Sequence, residues 1–197
     1  MRKTDIPLLP IVEQWQPQWE CYHPGLARVL PTVKQFVNAV MMRQPPKRWL
    51  TLLGASGIGK TFILKQAFEF LEEHMRVKRG SGTGFAQCAH IIPARDLTDW
   101  QSPRDYGAYD LIYVEDIGSG SDDSVGSGRV TRSRVTELMQ LRSGKWTMAD
   151  ANLSVADIEA RLDGRIASRL KRDGSWLLDI PSEVPDYWFR KEVEVEV

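Results

Sequence analysis

The chain has 197 residues, 42% of them hydrophobic and 26% charged, which suits one ordinary soluble domain with a buried core. Lysine plus arginine equals aspartate plus glutamate at 26 each, so net charge gives no argument for a nucleic-acid or membrane partner. The absence of a long apolar run excludes a transmembrane helix, and Pro7, Pro10, Glu13 and Pro17 interrupt any leader-like segment. Cys21 and Cys88 stand far apart with no CxxC partner, which argues against a disulfide framework or zinc site and for a reducing cytosol.

Residues 1–24 are rich in proline, tryptophan and glutamine without periodicity, and are expected to form an extended arm. Gly25–Arg43 carries Leu26, Val29, Leu30, Val33, Phe36, Val37 and Val40 at helical spacing, and Pro45-Pro46 closes that helix. Trp49–Leu53 is a short apolar run that predicts a buried strand. A helix from Lys60 to about Arg76 follows, with Ile63, Leu64, Ala67, Phe68 and Leu71 on one face. Arg79–Gly84 predicts a glycine-rich turn, Phe85–Ile92 a strand, and 93–109 a polar, broken stretch. Leu111–Val114 is a second strongly apolar strand, and 118–128 (GSGSDDSVGSG) has loop composition. Arg129–Leu141 is expected to be helical and Trp146–Ala149 a strand. Ser154, with Asp157 in a capping box, starts a helix to about Arg172, and Trp176–Ile180 is the last strand. Strands alternating with helices predict a three-layer α/β fold around a mostly parallel sheet of five strands.

The strongest chemical signal is Gly54-Ala55-Ser56-Gly57-Ile58-Gly59-Lys60-Thr61, which matches G-x-x-x-x-G-K-[ST] between an apolar strand and a helix. Glycines at this spacing let successive backbone N–H groups turn inward onto phosphate oxygens. Lys60 adds charge at the β- and γ-phosphates, the Thr61 hydroxyl ligates magnesium, and the helix through Thr61 and Phe62 adds its positive end. ATP and Mg²⁺ are therefore the expected ligands, held by Gly54, Ser56, Gly57, Ile58, Gly59, Lys60, Thr61 and Phe62. Such a loop needs an acid on a neighbouring strand, and Glu115-Asp116 follows Leu111–Val114. One acid positions the metal and the other polarises the attacking water. A third strand leads through Asp150 and Ala151 to Asn152, which either orients the lytic water or caps the next helix, where Ser154 is the better cap.

The order of phosphate loop, strand with two acids, strand ending in Asn152, then Gly164-Arg165-Ile166-Ala167-Ser168-Arg169-Leu170 resembles the AAA+ ATPases. More narrowly, it resembles bacterial replicative-helicase loaders of the DnaC type and their transposase-assisting relatives of the IstB type, over about residues 26–180. The resemblance implies a sensor role for Asn152. It also implies an arginine finger acting in a neighbouring subunit, Arg169 with Arg165 as the alternate, and hence self-association into an oligomer. The pair departs from the family's Asp-Asp or Asp-Glu. Aligned by position Glu115 takes the metal and Asp116 the water, whereas a slip of one residue puts Asp116 on the metal. The short remainder after the last strand implies no C-terminal helical lid domain.

The expected division is an arm at 1–24 and an ATPase domain at 25–197. The arm's Trp15, Trp19 and Tyr22 are candidate anchors for a helicase partner, with packing on the arm's own domain as the alternative. The expected function is ATP-dependent loading of a replicative DNA helicase onto single-stranded DNA. A transposase-associated ATPase, a P-loop small-molecule kinase and a non-catalytic nucleotide switch are the alternatives. Arg76, Lys78, Arg79, Arg129, Arg132 and Arg134 are candidate phosphate contacts, and Trp100 and Tyr106 candidate stacking partners.

Overall fold

A computed structural model describes residues 7–17, 24–44, 48–79, 82–97, 102–118, 126–171 and 175–180. In chain order the elements are α1 (Pro10–Gln14), α2 (Pro24–Met41), β1 (Trp49–Leu53), α3 (Lys60–His74), β2 (Arg76–Arg79), β3 (Gly82–Phe85), β4 (Cys88–Ile91), α4 (Pro93–Asp96) and α5 (Pro103–Gly107). They continue with β5 (Leu111–Val114), α6 (Gly126–Leu141), β6 (Trp146–Ala151), α7 (Val155–Arg161), α8 (Gly164–Leu170) and β7 (Trp176–Asp179).

Five strands form one sheet in the order β4-β5-β6-β1-β7, and every pairing in it is parallel. β1, β5 and β6 are buried along their whole length, as expected of central strands covered on both faces. Alternation of side chains divides the sheet between two cores. Leu50, Leu52, Leu111, Tyr113, Trp146 and Met148 pack with α2 and α3 through Val33, Phe36, Val37, Val40, Ile63, Leu64 and Leu71. Trp49, Leu53, Ile112, Val114, Ala149 and Ala151 pack with α6, α7 and α8 through Leu138, Met139, Ile158, Leu162, Ile166 and Leu170. The result is the expected three-layer α/β domain.

Several elements differ in detail from the sequence expectation. The glycine-rich stretch after α3 is an antiparallel hairpin, β2 with β3, and Phe85 belongs to it while the sheet strand starts only at Cys88. α6 starts at Gly126, inside the stretch expected to be loop. The helix expected from Ser154 to Arg172 is two helices. Leu162 departs from helical backbone angles, and the Asp163 carboxylate accepts from the Arg165 N–H to begin α8.

The described part of the arm is a short helix rather than an extended strand. Leu9 N–H donates to Asn38 Oδ1 at 2.8 Å, Lys34 Nζ donates to the Glu13 carbonyl at 2.7 Å, and Val12 is fully buried. Trp15 is half-buried, its ring 5.3 Å from that of Phe70. Packing on its own domain thus accounts for residues 7–17, while Trp19 and Tyr22 lie outside the described residues, as do Trp100 and residues 181–197, which bear on the lid.

Candidate nucleotide site

The phosphate loop leaves the C-terminal end of β1 and enters α3. Gly54, Gly57 and Gly59 have φ of 138°, 77° and 88°. A Cβ on Gly54 would stand 2.7 Å from the Ile180 carbonyl oxygen, so the chain needs glycine there for space as well as for angle. Gly59 is the N-cap of α3 and has no side chain to cap it, which leaves the first N–H groups of the helix open to an anion.

Lys60 is 4% exposed, and its ammonium is held by the carbonyls of Gly54 at 2.9 Å and Ala55 at 2.6 Å and by Asn152 Oδ1 at 2.9 Å. Asn152 Nδ2 in turn donates to Asp116 Oδ1 at 3.1 Å. Asn152 therefore bridges the loop lysine and the second acid, and the capping role falls to Ser154, whose capping box with Asp157 is complete. Asp116 has a φ of 48°, a left-handed conformation that an aspartate holds only with support from its surroundings.

Asp150 lies at the centre of the site, and the sequence reading gave it no role. It is 1% exposed. Its Oδ2 accepts from Thr61 Oγ1 at 2.8 Å and Tyr113 OH at 2.7 Å, and its Oδ1 accepts from the Asp116 N–H. Burial raises its pKa above the usual carboxylate range, opposed by those three donors and by Lys60. Burial likewise lowers the Lys60 pKa, opposed by Asp150 and Asp116. Tyr113 is pushed up by burial and by the adjacent Asp150 charge, so it stays a hydroxyl donor. The signal for Asp150 was in the period-two pattern of β6, where it shares a face with Trp146 and Met148 and so points toward the start of α3.

Glu115 turns the other way. Its Oε2 is 2.6 Å from His90 Nε2 on β4, and the His90 ring stacks on Tyr113 with centroids 4.7 Å apart. Nothing in the sequence marked His90. A single histidine in a short strand becomes meaningful only when the register opposes it to Tyr113.

Arg165 is exposed on α8, and Arg169 is half-buried with its Nη1 directed at the Arg165 carbonyl. Among the candidate phosphate contacts, Arg132 donates to the Leu162 carbonyl at 2.8 Å and thereby ties α6 to the α7–α8 junction. The Arg76 guanidinium sits 3.2 Å over the Phe85 ring.

The cradle suits ATP and Mg²⁺. An uncapped helix N-terminus and a buried lysine held by neutral carbonyls invite phosphate, while the Thr61 hydroxyl beside the buried Asp150 carboxylate offers the hard oxygen donors that magnesium prefers. Magnesium takes most of its ligands from water and phosphate, so a dense protein cage is not required.

No protein-family model matches the chain, and no curated protein matches it. Solved structures do. A DnaC helicase loader superposes with a TM-score of 0.60 at 19% identity, over 85% of this chain and 98% of that one. The chain shares its fold with that DnaC helicase loader. DnaI superposes with a TM-score of 0.56 at 18% identity, over 81% of this chain and 87% of that chain. The replication initiator DnaA bound to AMPPCP and single-stranded DNA gives 0.59 at 13% identity, over 95% of this chain and 56% of its own length. At these identities the likeness is one of fold, and in this fold the phosphate loop, the acids after β5 and Asn152 all gather at the C-terminal edge of the parallel sheet.

Proposed function

We propose that the chain is a magnesium-dependent ATPase of the helicase-loader kind, which couples ATP binding and hydrolysis to placing a replicative DNA helicase on single-stranded DNA. The observation that carries this reading is the chain of contacts from Lys60 through Asn152 to Asp116, which ties the phosphate loop to an acid across β6. The small-molecule kinase reading assigns this asparagine no role.

In the proposed reaction the loop N–H groups and Lys60 bind and orient the phosphates, exchanging the carbonyls of Gly54 and Ala55 for ligand oxygens. Bound magnesium supplies charge neutralisation at the phosphates. Asp116 accepts a proton from the attacking water, and Asn152 holds that water between itself and the carboxylate. Arg169, or Arg165, the more exposed of the two, completes the site of a neighbouring subunit and makes turnover depend on self-association. Helicase contact through residues 1–24 belongs to the same proposal.

The deciding experiment is ATPase rate per subunit against protein concentration, with and without single-stranded DNA. A rate that climbs with both supports a loader-like assembly, and loss of that climb in Arg169→Ala or Arg165→Ala with intact nucleotide affinity identifies the finger. A flat rate insensitive to DNA refutes the loader reading and directs attention to phosphate acceptors. Helicase pull-down then separates a loader from a transposase helper.

A further inference from the structure

The carboxylate that meets the Thr61 hydroxyl comes from β6, the strand that leads to Asn152, rather than from the pair after β5. β6 is the immediate neighbour of β1, with Asp150 in register with Leu52. β5 lies one strand further out, about 5 Å farther from the phosphate loop. The shorter reach is used: Thr61 Oγ1 and Asp150 Oδ2 are 2.8 Å apart. Glu115, in contrast, is drawn toward the β4 edge by His90, and the stack of His90 on Tyr113 keeps the imidazole facing it.

We infer, on the reading that the chain is a magnesium-dependent ATPase, that Asp150 is the carboxylate that works with Thr61 to hold the metal, a task moved from the end of β5 to the strand that carries Asn152. Tyr113 fixes the rotation of this carboxylate from one side, and the Asp116 N–H fixes it from the other. A compact buried acid so oriented is a better-defined oxygen donor than a partly exposed glutamate paired with histidine. Burying a carboxylate is costly, and Asp150 is 1% exposed with Thr61, Tyr113 and the Asp116 N–H as its hydrogen-bond donors. A divalent ion beside Thr61 removes that cost. Asp150 also holds the backbone of Asp116 in its left-handed turn. One side chain therefore positions both the metal side of the site and the water side.

The test is equilibrium binding of a fluorescent ATP analogue to the full chain, in magnesium and in excess EDTA, with the ratio of the two affinities as the readout. Asp150→Asn is expected to reduce that ratio by about tenfold or more, toward unity, while affinity in EDTA stays within about threefold. Glu115→Gln is expected to keep the wild-type ratio. A purely structural role for Asp150 would weaken both affinities together and leave the ratio alone, which overturns the inference. So does collapse of the ratio in Glu115→Gln, and that variant decides the matter by itself if Asp150→Asn does not fold. Wild-type protein that binds the analogue equally with and without magnesium overturns the metal role while leaving nucleotide binding intact. Wild-type protein that binds in neither buffer removes the ATPase reading and this inference with it.

Discussion

Replacing Asn152 by alanine cuts the contact between the phosphate loop and the acid after β5. In the structure the amide does two things at once: its oxygen accepts from Lys60 Nζ at 2.9 Å and its nitrogen donates to Asp116 Oδ1 at 3.1 Å. Hydrogen bonds to charged groups contribute about 1.5–3 kcal/mol when buried. Asn152 is exposed, so each belongs at the low end, and the pair together amounts to about 3 kcal/mol at most. Only the part that strengthens toward the transition state enters turnover. A share of one half to all of it predicts a kcat lower by about ten- to hundredfold. The assay is steady-state ATP hydrolysis alongside equilibrium affinity for an ATP analogue, at a protein concentration beyond which the rate per subunit no longer rises. Affinity should change by less than about threefold, since the loop N–H groups and Lys60 remain in place. A kcat within twofold of wild type would refute the reasoning. So would an affinity loss as large as the loss in turnover, because Asn152 would then act on bound substrate and transition state alike.

Two further outcomes follow from the packing. Gly54→Ala places a methyl 2.7 Å from the Ile180 carbonyl and 2.8 Å from Ile58 Cδ1 at a φ of 138°, so urea unfolding should show a loss of about 1–3 kcal/mol, and an unchanged midpoint would mean that the loop shifts without strain. Arg142 is fully buried and donates to the carbonyls of Tyr109 at 2.5 Å and Trp146 at 2.6 Å, so Arg142→Met, which strips the donors while keeping most of the volume, should cost about 2–4 kcal/mol in the same assay. Unchanged or increased stability would show that burying the guanidinium costs as much as its hydrogen bonds return.

The parts of this fold that the sequence expresses well are those in which periodicity and boundary signals agree. β1 and β5 are short, mostly apolar runs, α3 has a clean apolar stripe and a glycine-lysine start, and all three lie where the spacing places them. The hairpin was not legible, because RVKR and GTGF are short, charged or glycine-rich, and glycine is a poor strand former; their pairing is a tertiary choice. The break between α7 and α8 was hidden by Ile158, Leu162, Ile166 and Leu170, whose four-residue spacing runs straight through it. Asp163-Gly164 did carry a stop-and-cap signal there, which the periodicity outweighed. Within the site, motif spacing marked the loop, the end of an apolar strand marked Glu115-Asp116, and Asn152 drew notice by its place after a third strand and by resemblance. Asp150 and His90 belong to no motif, and they acquire partners only when strand order and side-chain parity bring β4, β5 and β6 together.

The position of β1 also bears on how the chain folds. It lies between β6 and β7, pairing Trp49 with Thr147 and Leu50 with Trp176. The strand that presents the phosphate loop thus finds its partners only roughly a hundred residues or more further along the chain, and closing contacts of such separation is slow. α2 and α3 can meet early, but the cradle becomes rigid only when the two halves of the chain have joined. A nucleotide seated there acts as a clasp across that join. Binding energy gained from groups that only the completed domain brings together, Lys60 with Asn152 and Thr61 with Asp150, would then slow unfolding of the whole sheet rather than of one loop.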